Sequence, residues 1–150
     1  MGKKQVPLRA EPDREPREQY AALPWRRAAD GAVEVLLITS RETRRWVIPK
    51  GWPIKGLKSP KSAAREAYEE AGVTGDVAKK KLGVYHYDKR LASGRMQHVK
   101  VTVFPLRVEA EADAWPEQGQ REKLWTRVED AAPRVDEPEL QALIAAFRPE

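Results

Sequence analysis

"SPKSAAREAYEEAGV", Ser59 to Val73, carries three carboxylates, Glu66, Glu69 and Glu70, three and four residues apart. An α-helix turns about 100° per residue, so all three fall within roughly a quarter of its circumference. The stretch also marks its own ends. Ser59 suits an N-cap, Pro60 the first helical position, and Gly72 the left-handed residue that stops a helix. Away from the acids, Ala64, Ala67 and Ala71 predict a small-residue stripe packed on a sheet, with Tyr68 at its margin. Like charges at helical spacing repel by about 0.2–0.5 kcal/mol per pair, so the acidic face calls for a positive partner.

Upstream, Arg41, Arg44, Arg45, Lys50, Lys55, Lys58, Lys61 and Arg65 face one acid, Glu42. Basic residues running into a carboxylate cluster suit a polyanion held at a divalent cation: the cations attract phosphates and the carboxylates hold the metal. The plainer alternative is a solvated basic loop.

Composition narrows the chemistry. The 150 residues include no cysteine and two histidines, His86 and His98. That excludes disulfides, thiolate metal sites, iron–sulfur clusters and a thiol nucleophile, and points any metal to oxygen ligands. A metal site shared by the two histidines would need both on one sheet face, and the spacing does not favour that. No apolar run approaches the roughly 20 residues of a membrane span, and no signal-peptide apolar region opens the chain. A soluble cytoplasmic protein without membrane partners is the expectation.

Residues 1–18, charged and rich in proline, read as a flexible tail, and 19–150 as one domain. "QYAALPWRR" and "AVEVLLITS" around the turn "AADG" predict a β-hairpin, and "RRWVIP" a short strand. A Gly- and Pro-rich loop leads into the acidic helix. "KKKLGVYHYDK", "MQHVKVTVFPLRV" and "KLWTRV" predict further strands, with a polar loop before the last. Leu140, Leu143, Ile144 and Phe147 recur at helical spacing near the end. This order argues for an α+β fold, a mixed sheet with flanking helices.

The stretch "GWPIKGLKSPKSAAREAYEEAGV" resembles the box of the Nudix hydrolases: Gly, five residues, Glu, seven residues, then Arg-Glu-aliphatic-x-Glu-Glu-x-Gly-aliphatic. Gly51, Arg65, Glu66, Ala67, Glu69, Glu70, Gly72 and Val73 fit the pattern. Leu57 stands where the family has its first Glu. The resemblance implies an α/β/α sandwich and a hydrolase that cleaves a phosphoanhydride with Mg²⁺ or Mn²⁺. It makes Glu66, Glu69 and Glu70 metal ligands, joined by the backbone carbonyl of Lys50 beside Gly51. Arg65 would orient a ligand carboxylate such as Glu69, or form a surface ion pair. Leu57 cannot accept a hydrogen bond and so weakens the support expected for that network.

The family implies a further carboxylate from the loop before the late strand, and between Glu117 and Glu122 the shorter distance to Trp125 favours Glu122. "WVIPKGWPIKG" resembles the diphosphoinositol polyphosphate and diadenosine polyphosphate hydrolases, whose many phosphates would meet Arg41, Arg44, Arg45, Lys50, Lys55 and Lys58. The implied partner is a small-molecule polyphosphate. An RNA 5′-pyrophosphohydrolase and a binding module with weakened catalysis are the alternatives. Trp46, Trp52, Tyr85 and Tyr87 could stack a base, although strand aromatics more often belong to a core.

Overall fold

The computed structural model describes residues 16–150. Most of the expected tail lies outside that range, but its last three residues, 16–18, do not. The first strand, β1, spans Arg17–Arg27 and pairs through Arg17 and Glu18 with a late strand.

The strands that follow are β2 (Val33–Thr39), β3 (Trp46–Val47), β4 (Lys50–Gly51), β5 (Val73–Val77), β6 (Gly83–Arg90), β7 (Met96–Glu111) and β8 (Lys123–Arg127). All eight join one sheet, with β3-β2-β1-β7-β5 as its main path and β4, β6 and β8 pairing with β1, β7 and β2. β1 runs parallel to β7, and every other pairing is antiparallel. The hairpin expected from "AADG" is the antiparallel β1–β2 pair, in register at Trp25 and Val35.

Apolar residues run almost unbroken through β2 because both faces of the sheet are covered. Val35 and Leu37 point into one core layer and Leu36 and Ile38 into the other. The second layer is closed by helix α1 (Ser59–Ala71). The first is closed by a short helix α2 (Val128–Ala131), a 3₁₀ turn (Ala132–Arg134) and helix α3 (Pro138–Ala145), whose Leu140 and Ile144 are fully buried beside Phe147. The result is an α+β fold, a mixed sheet sandwiched between helices. Among the described residues, no helix is long and apolar enough to cross a membrane.

Two expectations about α1 need correction. Ser59 is the first helical residue rather than the cap; Lys58 precedes the helix without a side-chain capping bond. The buried stripe is Ala63, Ala67 and Ala71, and Ala64 lies at its edge. The helix is rolled toward its acids because Glu70 itself faces inward. Gly72 ends it as expected, with φ of 72° and its amide donating to the Tyr68 carbonyl. β5 and α2 were not legible as elements. β5 is "VTGDV", largely exposed and bulged between Thr74 and Gly75, with no alternation to reveal it.

Candidate active site

The acids of α1 press against β4, which β1 holds in place by pairing Tyr20 and Ala21 with Gly51 and Lys50. A Cβ at Gly51 would overlap the Glu66 carboxylate, so glycine is what lets that carboxylate lie against the β4 backbone. The Lys50 amide donates to Glu70 Oε1 at 3.4 Å. Glu66 and Glu70 lie one helical turn apart and both line the same cleft. Burial pushes the Glu66 carboxyl up to about 8, and the charges of Glu70, Glu69 and Glu117 add to the shift. Burial also raises Glu70, against the pull of Arg121 and Lys50.

Glu69 does not join this pair. It lies on the outer flank of α1, where Arg65 Nη1 approaches its Oε2 at 3.9 Å with both side chains substantially exposed. The Arg65–Glu69 contact is thus a loose surface pair, of a kind worth about 0–1 kcal/mol. Leu57 is exposed as well, its amide engaged in a turn to the Ile54 carbonyl.

The preference for Glu122 over Glu117 is reversed by the geometry. Glu122 is exposed and pairs with Arg44 at 3.2 Å, away from the acids of α1. Its backbone is firmly bound to Thr39, but that anchoring points the side chain outward. Glu117 instead lines the cleft over Glu66 and Glu70, and its amide donates to the Glu69 carbonyl at 3.0 Å. Arg121, which the sequence did not single out, binds Glu117 at 3.0 Å and lies 3.7 Å from Glu70.

These groups open into a cleft of about 540 Å³. It is also lined by the cations Arg41, Arg45, Lys50, Lys89 and Arg90. Burial brings the Lys50 ammonium down to about 8, and its Nζ rests 5.1 Å from the centre of the Tyr87 ring. Arg45 is tied to Glu137 at 2.7 Å. Arg44, Lys55 and Lys58 do not line the cleft and are exposed, so half of the six predicted phosphate partners lie outside it. Lys89 and Arg90 escaped notice because they sit on β6, far along the chain from the basic stretch.

Of the four aromatic candidates, Trp52 and Tyr87 line the cleft, whereas Tyr85 is buried and Trp46 packs on the core. His86 and His98 do share a sheet face, contrary to expectation, with ring centres 5.5 Å apart and planes only 11° from parallel. Each Nδ1 meets a carboxylate, Glu139 at 3.0 Å and Asp88 at 2.9 Å. Nitrogen lone pairs lie in the ring planes, so two stacked rings do not converge on one ion.

Among the described residues, no three His, Asp or Glu side chains converge as a finished metal cage. What the site offers is an oxygen-rich pair, Glu66 and Glu70, one helical turn apart and beside a third acid, Glu117. Half-buried carboxylates so crowded that one keeps its proton to about 8 suit a hard divalent cation, which would replace that proton.

Comparison with known proteins agrees with the fold and the box. A family model described as NUDIX domain matches residues 17–147. Nudix hydrolase 18, mitochondrial, of Arabidopsis thaliana is 32% identical over 121 residues, covering 77% of this chain and 66% of that protein. Diphosphoinositol polyphosphate phosphohydrolase 3-alpha of Mus musculus is 34% identical over 101 residues, covering 65% and 57%. The solved structure of a C. elegans Ap4A hydrolase shares the fold, with a TM-score of 0.60 at 23% identity over 87% of this chain and 95% of that one. The chain spans about half to two thirds of the length of the curated relatives it matches. With the acidic helix, its glycine partner and the whole sheet inside the matched region, this chain belongs to the Nudix family.

Proposed function

We propose that the chain is a divalent-cation-dependent pyrophosphohydrolase that cleaves a phosphoanhydride bond in a nucleoside or inositol polyphosphate, of the diadenosine polyphosphate or diphosphoinositol polyphosphate type. The observation that carries this reading is one cleft lined both by the acids Glu66, Glu70 and Glu117 and by the cations Arg41, Arg45, Lys50, Lys89 and Arg90. The names of the mouse and C. elegans proteins it resembles support the substrate class.

Glu66 and Glu70 would hold Mg²⁺ or Mn²⁺ with help from the Lys50 carbonyl beside Gly51. The ion, when bound, neutralises phosphate oxygens and acidifies a water. Glu117, which also lines the cleft, would serve as the proton acceptor. The cations that line the cleft would grip the outer phosphates, and a long substrate would engage more of them than a short one. Trp52 and Tyr87 flank the opening.

The test is a panel of diadenosine polyphosphates, diphosphoinositol polyphosphates, ADP-ribose and 5′-triphosphorylated RNA, each incubated with Mg²⁺, with Mn²⁺ or with chelator, products being separated by anion exchange. Divalent-dependent cleavage of the first two classes is expected. Preferential release of pyrophosphate from RNA would replace the substrate assignment. Binding without cleavage of any member would make the chain a binding module, with Leu57 as the relevant departure.

A further inference from the structure

The strongest cation contact inside the acidic cluster comes from a residue outside the box. Arg121 lies in the loop before β8 with its side chain only 10% exposed. Its Nε and Nη2 both approach Glu117 Oε1 at 3.0 Å, Nη2 lies 3.7 Å from Glu70 Oε2, and Nη1 donates to the Thr39 carbonyl at 3.2 Å. The loop that carries it is stitched at both ends, Glu117 to α1 through the Glu69 carbonyl and Glu122 to β2 through Thr39. A planar guanidinium with several fixed donors suits such a three-way junction, whereas an ammonium would keep the charge and lose part of the fixed geometry.

The other charged groups facing the cluster are less well placed. Arg41 Nη1 is 4.0 Å from Glu117 on an exposed side chain, and Arg65 reaches only Glu69, on the outer flank of the helix. Lys50 is the second cation acting on Glu70, but it also leans on the Tyr87 ring. Glu66 and Glu69 bring no positive charge to the cluster. Removing the partner of a buried charge is far more costly than losing a surface pair.

We propose that Arg121 is a positioning residue, an internal counter-ion that draws Glu70 and Glu117 together at the edge of the cleft and keeps them poised in the absence of a divalent cation. This rests on the reading of the cleft as a cation site. It assigns to the distant loop the orienting role that sequence gave to Arg65.

The experiment compares melting temperatures of the wild type, Arg121→Met, Arg121→Lys and Arg121→Met/Glu117→Gln, in chelator and in excess Mg²⁺. In chelator, Arg121→Met should melt roughly 5–10 °C lower, while Arg121→Lys, which keeps the charge, should lose less than half of that. Adding Glu117→Gln should restore most of the loss, since it removes one of the charges left unpaired. Mg²⁺ should stabilise Arg121→Met by more degrees than the wild type, because the ion then supplies the missing charge. Equal losses for the Met and Lys variants, or a double variant less stable than Arg121→Met, would overturn the proposal and leave a purely steric brace. If Arg121→Met does not fold, the Lys variant and the double variant still decide between the two. Failure of Mg²⁺ to stabilise even the wild type would count against the cation site itself, while recovery by Glu117→Gln in chelator would still judge Arg121.

Discussion

Gly51 and Glu66 occupy complementary space: the place a methyl group would take on residue 51 is filled by the carboxylate of residue 66. Gly51→Ala must therefore push Glu66 off its position while changing no charge. Turnover should fall about 100-fold or more, since a displacement near 1 Å has that effect on reacting groups. Steady-state kinetics at saturating Mg²⁺, with circular dichroism to confirm folding, measure it. Unchanged turnover would remove Glu66 from the site.

Glu70→Gln and Glu66→Gln should each lower turnover by about 100-fold or more, and Glu69→Gln by less, because Glu69 lies on the outer flank. In chelator, the melting temperature of the Glu66 and Glu70 variants should hold or rise as repulsion is relieved. A lower metal-free melting point in both would show that the carboxylates serve the fold rather than an ion.

The raised Glu66 carboxyl makes metal-free stability depend on pH with a definite sign. Between its ordinary 4.5 and about 8, the folded protein holds a proton that the unfolded chain has released, so stability falls as pH rises through that window. Below and above it the two states bind alike. Urea unfolding in chelator should show the wild type losing stability relative to Glu66→Gln from pH 4.5 to 8. Parallel curves for the two proteins would contradict the shift.

Lys89 lines the cleft and Lys55 does not. Lys89→Ala should raise the KM for a polyphosphate several-fold more than that for ADP-ribose, and the contrast should shrink in high salt, where charges are screened within about 8 Å or less. Lys55→Ala should alter neither KM by more than about twofold. The opposite order would return the phosphate grip to the loop before α1.

Glu117→Gln should reduce turnover by at least about 100-fold, whereas Glu122→Gln breaks only an exposed pair with Arg44 and should stay within about threefold. Similar losses in the two would separate the loop from the chemistry.

The features legible in the sequence were those written into local spacing. The acids of α1, its glycine stop, the β1–β2 hairpin and the apolar face of α3 all follow from periods of two or 3.6 residues and from turn residues. What stayed hidden depends on long-range placement. Arg121 acquires meaning, and Glu117 precedence over Glu122, because their loop folds back onto α1, and Lys89 because β6 borders the cleft. The inward roll of α1 is set by Glu70 meeting the Lys50 amide and Arg121, partners no periodicity reveals. Distance along the chain misjudged Glu122: closeness to β8 fixed its backbone, yet turned its side chain to solvent.

The parallel pairing of β1 with β7 also sets an order of events during synthesis. β1 emerges from the ribosome early and can zip up with β2 at once, but its other edge has to wait for residues Val99 to Arg107. Until then the nascent chain presents an unpaired strand edge and a bare apolar layer, the combination that invites association between chains. Such non-local pairing also folds slowly. Chaperone demand should therefore be greatest for nascent chains stalled between α1 and β7, and should drop once β7 has cleared the exit tunnel.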